Sequence, residues 1–271
     1  MKNRKIDNLR DKLRAMGSVL IAFSGGVDST FLLKVAHDVL GNNNVLAITA
    51  KSETYSATEL KEAKYLAKLI GARHKILETK ELQDKNFYQN PANRCYFCKK
   101  ELFSKLKGIA DAAAKEKINY VLDASNFDDL KDYRPGRMAA KELGIRSPLA
   151  EVGITKQEIR LFSKKFGLPT WDKPAQACLA SRIPYGNKIT EKELTKVDNA
   201  ENFLRQIGLR ELRVRNHGEM ARIEVSQKHF PIVFKNNKKI IQKFKEIGFT
   251  YITLDLQGYR MGSLNEVLKN A

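Results

Sequence analysis

Cysteine is scarce in this chain, with three in 271 residues. Three thiols cannot build the disulfide framework of a small secreted domain, so they read as free thiols or metal ligands. Long apolar runs are missing too. The longest near the start, residues 18–23, is far too short to span a bilayer. The first seventeen residues are charged throughout and hold no signal-peptide core, so they read as a short amphipathic helix of a cytoplasmic protein. There is no internal repeat and no low-complexity segment. Acidic residues are in deficit: 31 Asp and Glu face 49 Lys and Arg, for a formal net charge of +18. A balance this basic attracts polyanions, nucleic acid first, but a lysine-rich solvated surface or a small phosphorylated substrate satisfies it as well.

What is present points to a globular α/β protein. Hydrophobic residues make up 42% and charged residues 30%, which gives a core without membrane or disordered character. Strand-like runs at 18–24, 45–50, 74–79 and 120–125 alternate with amphipathic helical runs at 29–41, 56–71 and 96–116 and with shorter ones at 137–144 and 155–167. Ser56 and Glu59 have capping-box spacing. Apolar strands separated by such helices predict a doubly wound parallel sheet. The tail reads differently. A helix at 190–207, strands at 211–217 and 221–226, a helix at 236–248 and a strand at 251–257 predict a smaller C-terminal α+β domain. The expected organisation is a first domain at 1–172, a cysteine-bearing linker at 173–187 and a second domain at 188–271.

The stretch AFSGGVDST, residues 22–30, closes the first strand and opens the first long helix. Gly25 and Gly26 let backbone N–H groups approach an anion, and the helix beginning near Val27 adds its positive end. Ser24, Ser29 and Thr30 supply hydroxyl donors, and Asp28 is a Mg²⁺ ligand candidate. No Gly-Lys-Ser/Thr follows, so this is not a Walker A loop. The motif resembles the PP-loop ATP pyrophosphatases, whose fold is similar to the adenine nucleotide alpha hydrolases. That resemblance implies that the loop grips the β,γ-pyrophosphate of ATP, that a substrate oxygen is adenylated and that a nucleophile then displaces AMP. The end of the second strand, TAKSE, would lie beside the adenine. The resemblance also brings Asn126, Asp128 and Asp129 of DASNFDDLKDYRPG near ATP and Mg²⁺, with Arg134 and Arg137 as phosphate or substrate contacts.

Three more stretches narrow the family: ACLASRIPYG (177–186), LRVRNHGEMARIE (212–224) and YITLDLQGYRMGSLNE (251–266). With the loop and DDLKDYRPG they resemble the LarE family along essentially the whole chain. That family is the ATP-dependent sulfur transferase of nickel-pincer cofactor synthesis, and it converts pyridinium-3,5-biscarboxylic acid mononucleotide to the bisthiocarboxylic form. The resemblance makes Cys178 the sulfur-bearing cysteine and Ser181, Arg182, Glu201 and Arg260 substrate-site candidates. Arg213 and Arg215 alternate on one strand and share a face, which suits a ligand carrying carboxylate and phosphate. None of the four histidines is assigned. Homo-oligomer assembly and a sulfur donor, inorganic sulfide or another, are implied as well. A tRNA thiolase of the same superfamily and a non-catalytic cluster or sulfur carrier are the competing classes.

Cys95 and Cys98, in RCYFCKK, depart from the single-cysteine pattern in which Cys178 is sacrificed. Four readings stay open. Cys95, Cys98 and Cys178 hold a [4Fe-4S] cluster with one open iron that accepts sulfide. Alternatively, Cys95 and Cys98 relay persulfide to Cys178, or the cysteines hold a structural zinc with a histidine as fourth ligand, or Cys95 and Cys98 are inert thiols beside a sacrificial Cys178. Arg94, Lys99 and Lys100 are expected to favour thiolates.

Overall fold

The computed structural model describes residues 4–112, 118–131, 135–174, 177–260 and 262–268. In chain order the elements are α1 (Arg4–Met16), β1 (Val19–Ala22), α2 (Val27–Leu40), β2 (Val45–Lys51), α3 (Ala57–Ile70), β3 (Arg73–Glu78), α4 (Lys85–Tyr88), α5 (Arg94–Ala112) and β4 (Tyr120–Leu122). They continue with α6 (Gly136–Glu142), α7 (Pro148–Glu151), α8 (Lys156–Lys165), α9 (Glu191–Gln206), β5 (Leu212–His217), β6 (Met220–Val225), α10 (Phe230–Lys235), α11 (Asn237–Ile247) and β7 (Tyr251–Leu254). The chain divides into two compact units: Met1–Glu81 with Asn93–Gln176, and Leu82–Ala92 with Ala177–Ala271.

The first unit is built on a four-stranded sheet in the order β3-β2-β1-β4, with every pair parallel. Alternation in β1 sends Val19 and Ile21 to one face and Leu20 to the other. Val19 and Ile21 join a core with Leu9 and Leu13 of α1, Phe31 and Leu32 of α2, Leu66 of α3 and Ile159 of α8. Leu20 joins a second core with Leu46 and Ile48 of β2, Phe103 and Leu106 of α5 and Ala140 of α6. A sheet with a separate core on each face is the expected doubly wound α/β architecture. Ser56 caps α3 but accepts from Thr58 N at 3.3 Å, one residue short of the expected box position. A reciprocal box forms at α8, where Thr155 Oγ1 accepts from Glu158 N and Glu158 accepts from Thr155 N.

The second unit carries the predicted smaller α+β arrangement. Its sheet has the order β5-β6-β7, with β5 antiparallel and β7 parallel to β6. One core joins Val214 and Ile223 of the sheet to Leu204 of α9 and to Ile240 and Phe244 of α11. Leu82–Ala92, inside the span expected to form the first domain, packs with this unit instead. The cause is local. Asn90 is fully buried with φ 58°, and its Nδ2 donates to the carbonyls of Ile183, Pro184 and Asn187 at 3.2, 2.7 and 3.0 Å. Tyr88 O accepts from Ile189 N at 2.8 Å, and Asn90 O accepts from Gly186 N at 3.0 Å. One side chain thus ties the excursion to the segment that follows Cys178. Among the described residues no helix is long and apolar enough to cross a membrane.

Replacing Asn90 with Ala leaves three carbonyls without this donor and puts a Cβ-bearing residue with no local side-chain hydrogen bond at positive φ. A loss of about 2–4 kcal/mol is expected, read as a lowered urea midpoint with an unchanged slope. Asn90→Asp, which keeps the shape and removes the donor, should lose a comparable amount.

Candidate functional site

In the first unit the site begins where β1 ends. The Cα–Cβ direction is free at Gly25 only in a formal sense: φ is 66°, and a Cβ there would lie 3.1 Å from Ala63 Cα and 3.2 Å from Ala63 Cβ. Glycine is therefore required both by conformation and by the close approach of α3. Gly26 is the N-cap of α2 and makes no side-chain cap, so the first N–H groups of a fourteen-residue helix are left to a ligand. The loop is braced from within. Ser24 and Ser29 hydroxyls lie 3.1 Å apart, Gly26 N donates to Ser24 Oγ at 3.3 Å, and Ser29 Oγ donates to Gly26 O at 3.3 Å. Thr30 Oγ1 is buried and has no hydrogen-bond partner among the described residues.

Asp28 faces the loop's acidic neighbours. Its Oδ2 accepts from Lys156 Nζ at 2.7 Å; Oδ1 is buried and makes no well-formed hydrogen bond among the described residues, although the Asn126 side chain lies near enough to favour the charged form. Burial pushes its carboxyl above the ordinary range, against the pull of the Lys156 ammonium, and nearby Asp129 adds to the rise. Asp129 Oδ2 accepts from Asn126 N at 3.0 Å, Asn126 Oδ1 from Asp128 N at 2.9 Å, and Asp128 Oδ2 from Lys156 N at 2.8 Å. The structure thus gathers Ser24, Asp28, Ser29, Asn126, Asp128 and Asp129 around one loop. A desolvated carboxylate oxygen with no donor fits a hard divalent cation such as Mg²⁺. Arg137 donates to the carbonyls of Asp129 and Leu130, both at 3.2 Å, and so closes this loop from behind; Arg134 lies outside the described residues.

Three residues that sequence reasoning passed over complete this picture. Lys156 bridges Asp28 and Asp128. Lys173 Nζ donates to Gly25 O at 3.1 Å and pairs with Glu62 at 2.8 Å. Tyr55 Oη donates to Ser24 O at 2.5 Å, and burial pushes its phenol well up. Lys156 follows a legible N-cap, but nothing in the local sequence names its partner.

Cys95 and Cys98 both fall in the first turn of α5, which begins at Arg94 rather than at 96. Cys95 is exposed and Cys98 is half-buried. Gly136 permits this end of α5 to sit close to α6, because a Cβ there would lie 2.8 Å from Lys99 Cγ and 3.3 Å from Cys95 O. Cys98 Sγ lies 3.7 Å from Oε1 of the buried Glu81. The flanking lysines are turned elsewhere: Lys99 Nζ lies over the Phe103 ring at 5.2 Å, and Lys100 Nζ donates to Tyr96 Oη at 3.0 Å. Among the described residues no group of three or more His, Cys, Asp or Glu is arranged to hold a metal ion. Cys95 and Cys98 belong to the first unit and Cys178 to the second.

In the second unit, half-buried Cys178 precedes the turn Leu179–Arg182. Arg182, 4% exposed, fixes that turn: Nη1 donates to Ala177 O at 2.8 Å, to Cys178 O at 3.3 Å and to Ser181 Oγ at 2.9 Å. Its Nε and Nη2 form a two-point pair with fully buried Glu201 at 2.7 and 3.0 Å. Glu201 also accepts from Val214 N at 3.1 Å and from Arg205 at 2.9 Å. Burial works to raise its pKa, but the Arg182 guanidinium, with Arg205 and the Val214 N–H, holds it below the ordinary range. Arg215 pairs with buried Glu224 through Nε and Nη2, both at 3.0 Å, and donates to Ser181 O at 2.6 Å and to Ser263 Oγ at 2.6 Å. Arg260 pairs with Glu266 at 3.1 Å and Asp255 at 3.5 Å.

Arg213 is the exception. It is 8% exposed, its Nη1 donates to Arg260 O at 3.3 Å, and its guanidinium lies over the Tyr259 ring at 4.7 Å. Among the described residues it has no carboxylate within salt-bridge distance. Burial lowers its hold on the proton, and the nearby Arg182 and Arg215 cations add to that. Glu224, opposite Arg213 in the β5–β6 ladder, and Tyr259 pull the other way, but Glu224 is engaged by Arg215 and Arg222; a buried cation in direct contact with no carboxylate is costly, and an anionic ligand would relieve the cost.

The loop at the end of a central parallel strand, with its uncapped helix and unsatisfied carboxylate, defines a PP-loop enzyme that uses ATP. A family model described as NAD synthase matches residues 1–131. The chain is 48% identical over 99% of its length to an uncharacterized protein of Synechocystis, of which 99% is covered. It is 38% identical over 96% of its length to the pyridinium-3,5-bisthiocarboxylic acid mononucleotide synthase of Lactiplantibacillus plantarum, of which 93% is covered. A tRNA-specific 2-thiouridylase of Rickettsia africae is 27% identical over 66% of the chain and is covered over 57%. The chain belongs to the LarE family and is an ATP-dependent sulfurtransferase.

The arginines separate by substitution. Arg215→Met leaves Glu224 with the half-exposed Arg222 and the Ser263 hydroxyl but without its buried two-point partner, and should cost about 3–5 kcal/mol in urea unfolding. Arg213→Met strands no carboxylate, so its stability should stay within about 1 kcal/mol of the parent or rise.

Proposed function

We propose that the enzyme activates a carboxylate of a pyridinium biscarboxylic acid mononucleotide with ATP, releases pyrophosphate and exchanges AMP for sulfur, in the cytoplasm and as a homo-oligomer. The observation that carries this reading is the loop at Ser24–Thr30, whose open helix terminus suits a phosphate chain and whose Asp28 has an oxygen free for a cation. In this reading the N–H groups at the start of α2 and the Ser24 and Ser29 hydroxyls hold the pyrophosphate. Asp28 holds Mg²⁺, with Asn126, Asp128 and Asp129 as its frame, and the cation supplies charge neutralisation on the phosphate oxygens. Lys156 orients Asp28 and stands ready to meet negative charge that develops beside it.

On the second unit, Arg213 anchors the substrate phosphate or its second carboxylate, with Ser181 and Arg260 beside it. Arg182, Glu201 and Arg215 act by holding the Cys178 turn rigid. Exogenous sulfide delivered at that turn would then meet the activated carbonyl carbon, the carbon–oxygen bond to AMP breaking as the carbon–sulfur bond forms.

Cys95, Cys98 and Cys178 are the thiolates that would hold a [4Fe-4S] cluster. What supports this is donor chemistry: two accessible thiols in one helical turn, and a third on a separate, braced loop. When bound, such a group supplies an open iron for exogenous sulfide, so that no cysteine need be consumed.

Pyrophosphate release on adding the mononucleotide and ATP should fall at least about a hundredfold in Asp28→Ala, with the urea midpoint unchanged. Undiminished release would overturn the assignment of the loop. Iron and acid-labile sulfide after anaerobic reconstitution should reach about four each per chain and drop sharply in Cys95→Ala. Absence of iron in both, with conversion of Cys178 to dehydroalanine in peptide mass spectra, would replace the cluster by sacrifice of Cys178.

A further inference from the structure

The second unit presents a face that none of this chemistry uses. Residues 227–246 hold six lysines against one acid, Glu246. On α11, Ile240 and Phe244 are buried in the unit's own core. Helical geometry turns Lys238, Ile241 and Lys245 together toward one outward flank, one turn apart in succession. All three are exposed, Ile241 to 44%, and α10 adds exposed Phe234, at 61%, and Lys235. Lys235, Lys238, Lys239 and Lys245 make no ion pair among the described residues, whereas Lys243 is paired with Glu246 at 3.1 Å. Asn236 carries helical hydrogen bonding from α10 into α11, its N donating to Ile232 O and its O accepting from Ile240 N, so Phe234, Lys238, Ile241 and Lys245 follow one another along one flank, with Lys235 and Lys239 to its side.

We propose that this face docks an acidic protein partner, through a segment that offers an apolar side toward Phe234 and Ile241 and carboxylates around it. The charge decides against a two-fold contact of this face with itself, because the same lysines would face each other, and a chain of net charge +18 is a poor source of a matching acidic face. A bilayer calls for a broad apolar face, and the apolar side of α11 is already buried. Nucleic acid engages the lysines through phosphate but gives Ile241 nothing to bury against. An apolar centre with a charged rim is the anatomy of a protein interface, and the rim steers encounter while the centre holds the complex.

The test uses the intact protein and a fluorescein-labelled amphipathic helix of glutamate and leucine, roughly eighteen residues long, with a glutamate-only peptide of equal length as control. Anisotropy is read at about 50 and about 300 mM salt. The glutamate–leucine peptide should bind about tenfold more tightly than the control. Lys238→Glu with Lys245→Glu, and separately Phe234→Ser with Ile241→Ser, should each weaken it about tenfold or more. Both pairs are exposed, and circular dichroism checks that the variants are folded. Equal binding of both peptides, or binding of bulk tRNA that is tighter and indifferent to the Phe234 and Ile241 changes, would overturn the proposal in favour of a simple polyanion surface. Stronger retention on phosphatidylglycerol vesicles, lost in the same variants, would overturn it in favour of a membrane. Absence of saturable peptide binding would end it.

Discussion

Charge removed from water must be met by opposite charge or by hydrogen bonds, and that constraint organises both units of this protein. Glu201 is fully buried and is met by Arg182, Arg205 and a backbone N–H. Glu224 is met by Arg215, Arg222 and Ser263. These pairs do more than balance charge. The spare N–H groups of Arg182 and Arg215 reach the carbonyls of Ala177, Cys178 and Ser181, so the turn that carries Cys178 takes its shape from buried carboxylates on α9 and β6. The loop that carries the Cys178 thiol is thereby given the rigidity of the sheet beneath it.

Where the matching is left incomplete, a ligand has a place. Among the described residues Asp28 keeps one buried oxygen without a well-formed hydrogen bond, and Arg213 keeps a buried guanidinium with no carboxylate at salt-bridge distance. The two lie in different units and call for opposite partners, a cation beside the nucleotide loop and an anion beside the arginines. Structural ion pairs and functional charges can thus be told apart by a single criterion, which residue-type patterns do not supply. Arg213 and Arg215 are indistinguishable in LRVRN. Their neighbours tie Arg215 into a buried ion pair and leave Arg213 against a carbonyl and an aromatic ring.

The thiols follow the same logic less completely. Cys95 and Cys98 share a helical turn because α5 starts at Arg94, earlier than the expected 96, with Gly136 admitting the close approach of α6. Glu81 stands against Cys98. The expectation that Lys99 and Lys100 serve the thiols does not survive the geometry, since their ammonium groups settle over aromatic rings of their own helix, where cation–π attraction and local hydrogen bonding are available.

Much of the architecture was determined by the sequence alone, because it rests on short-range rules. Apolar runs and period-3.6 patterns marked the strands and the longer helices, though not the short α4, α7 and α10, and the β1–α2 loop was readable from its paired glycines, which the φ of Gly25 and the approach of Ala63 require. Tertiary structure decided what depends on distant partners. It drew Leu82–Ala92 into the second unit through Asn90, joined Lys156 to Asp28 across 128 positions of chain, and divided the arginines into neutralised and free. None of these is encoded in a local window, since each depends on which buried group the fold brings within hydrogen-bonding distance of another.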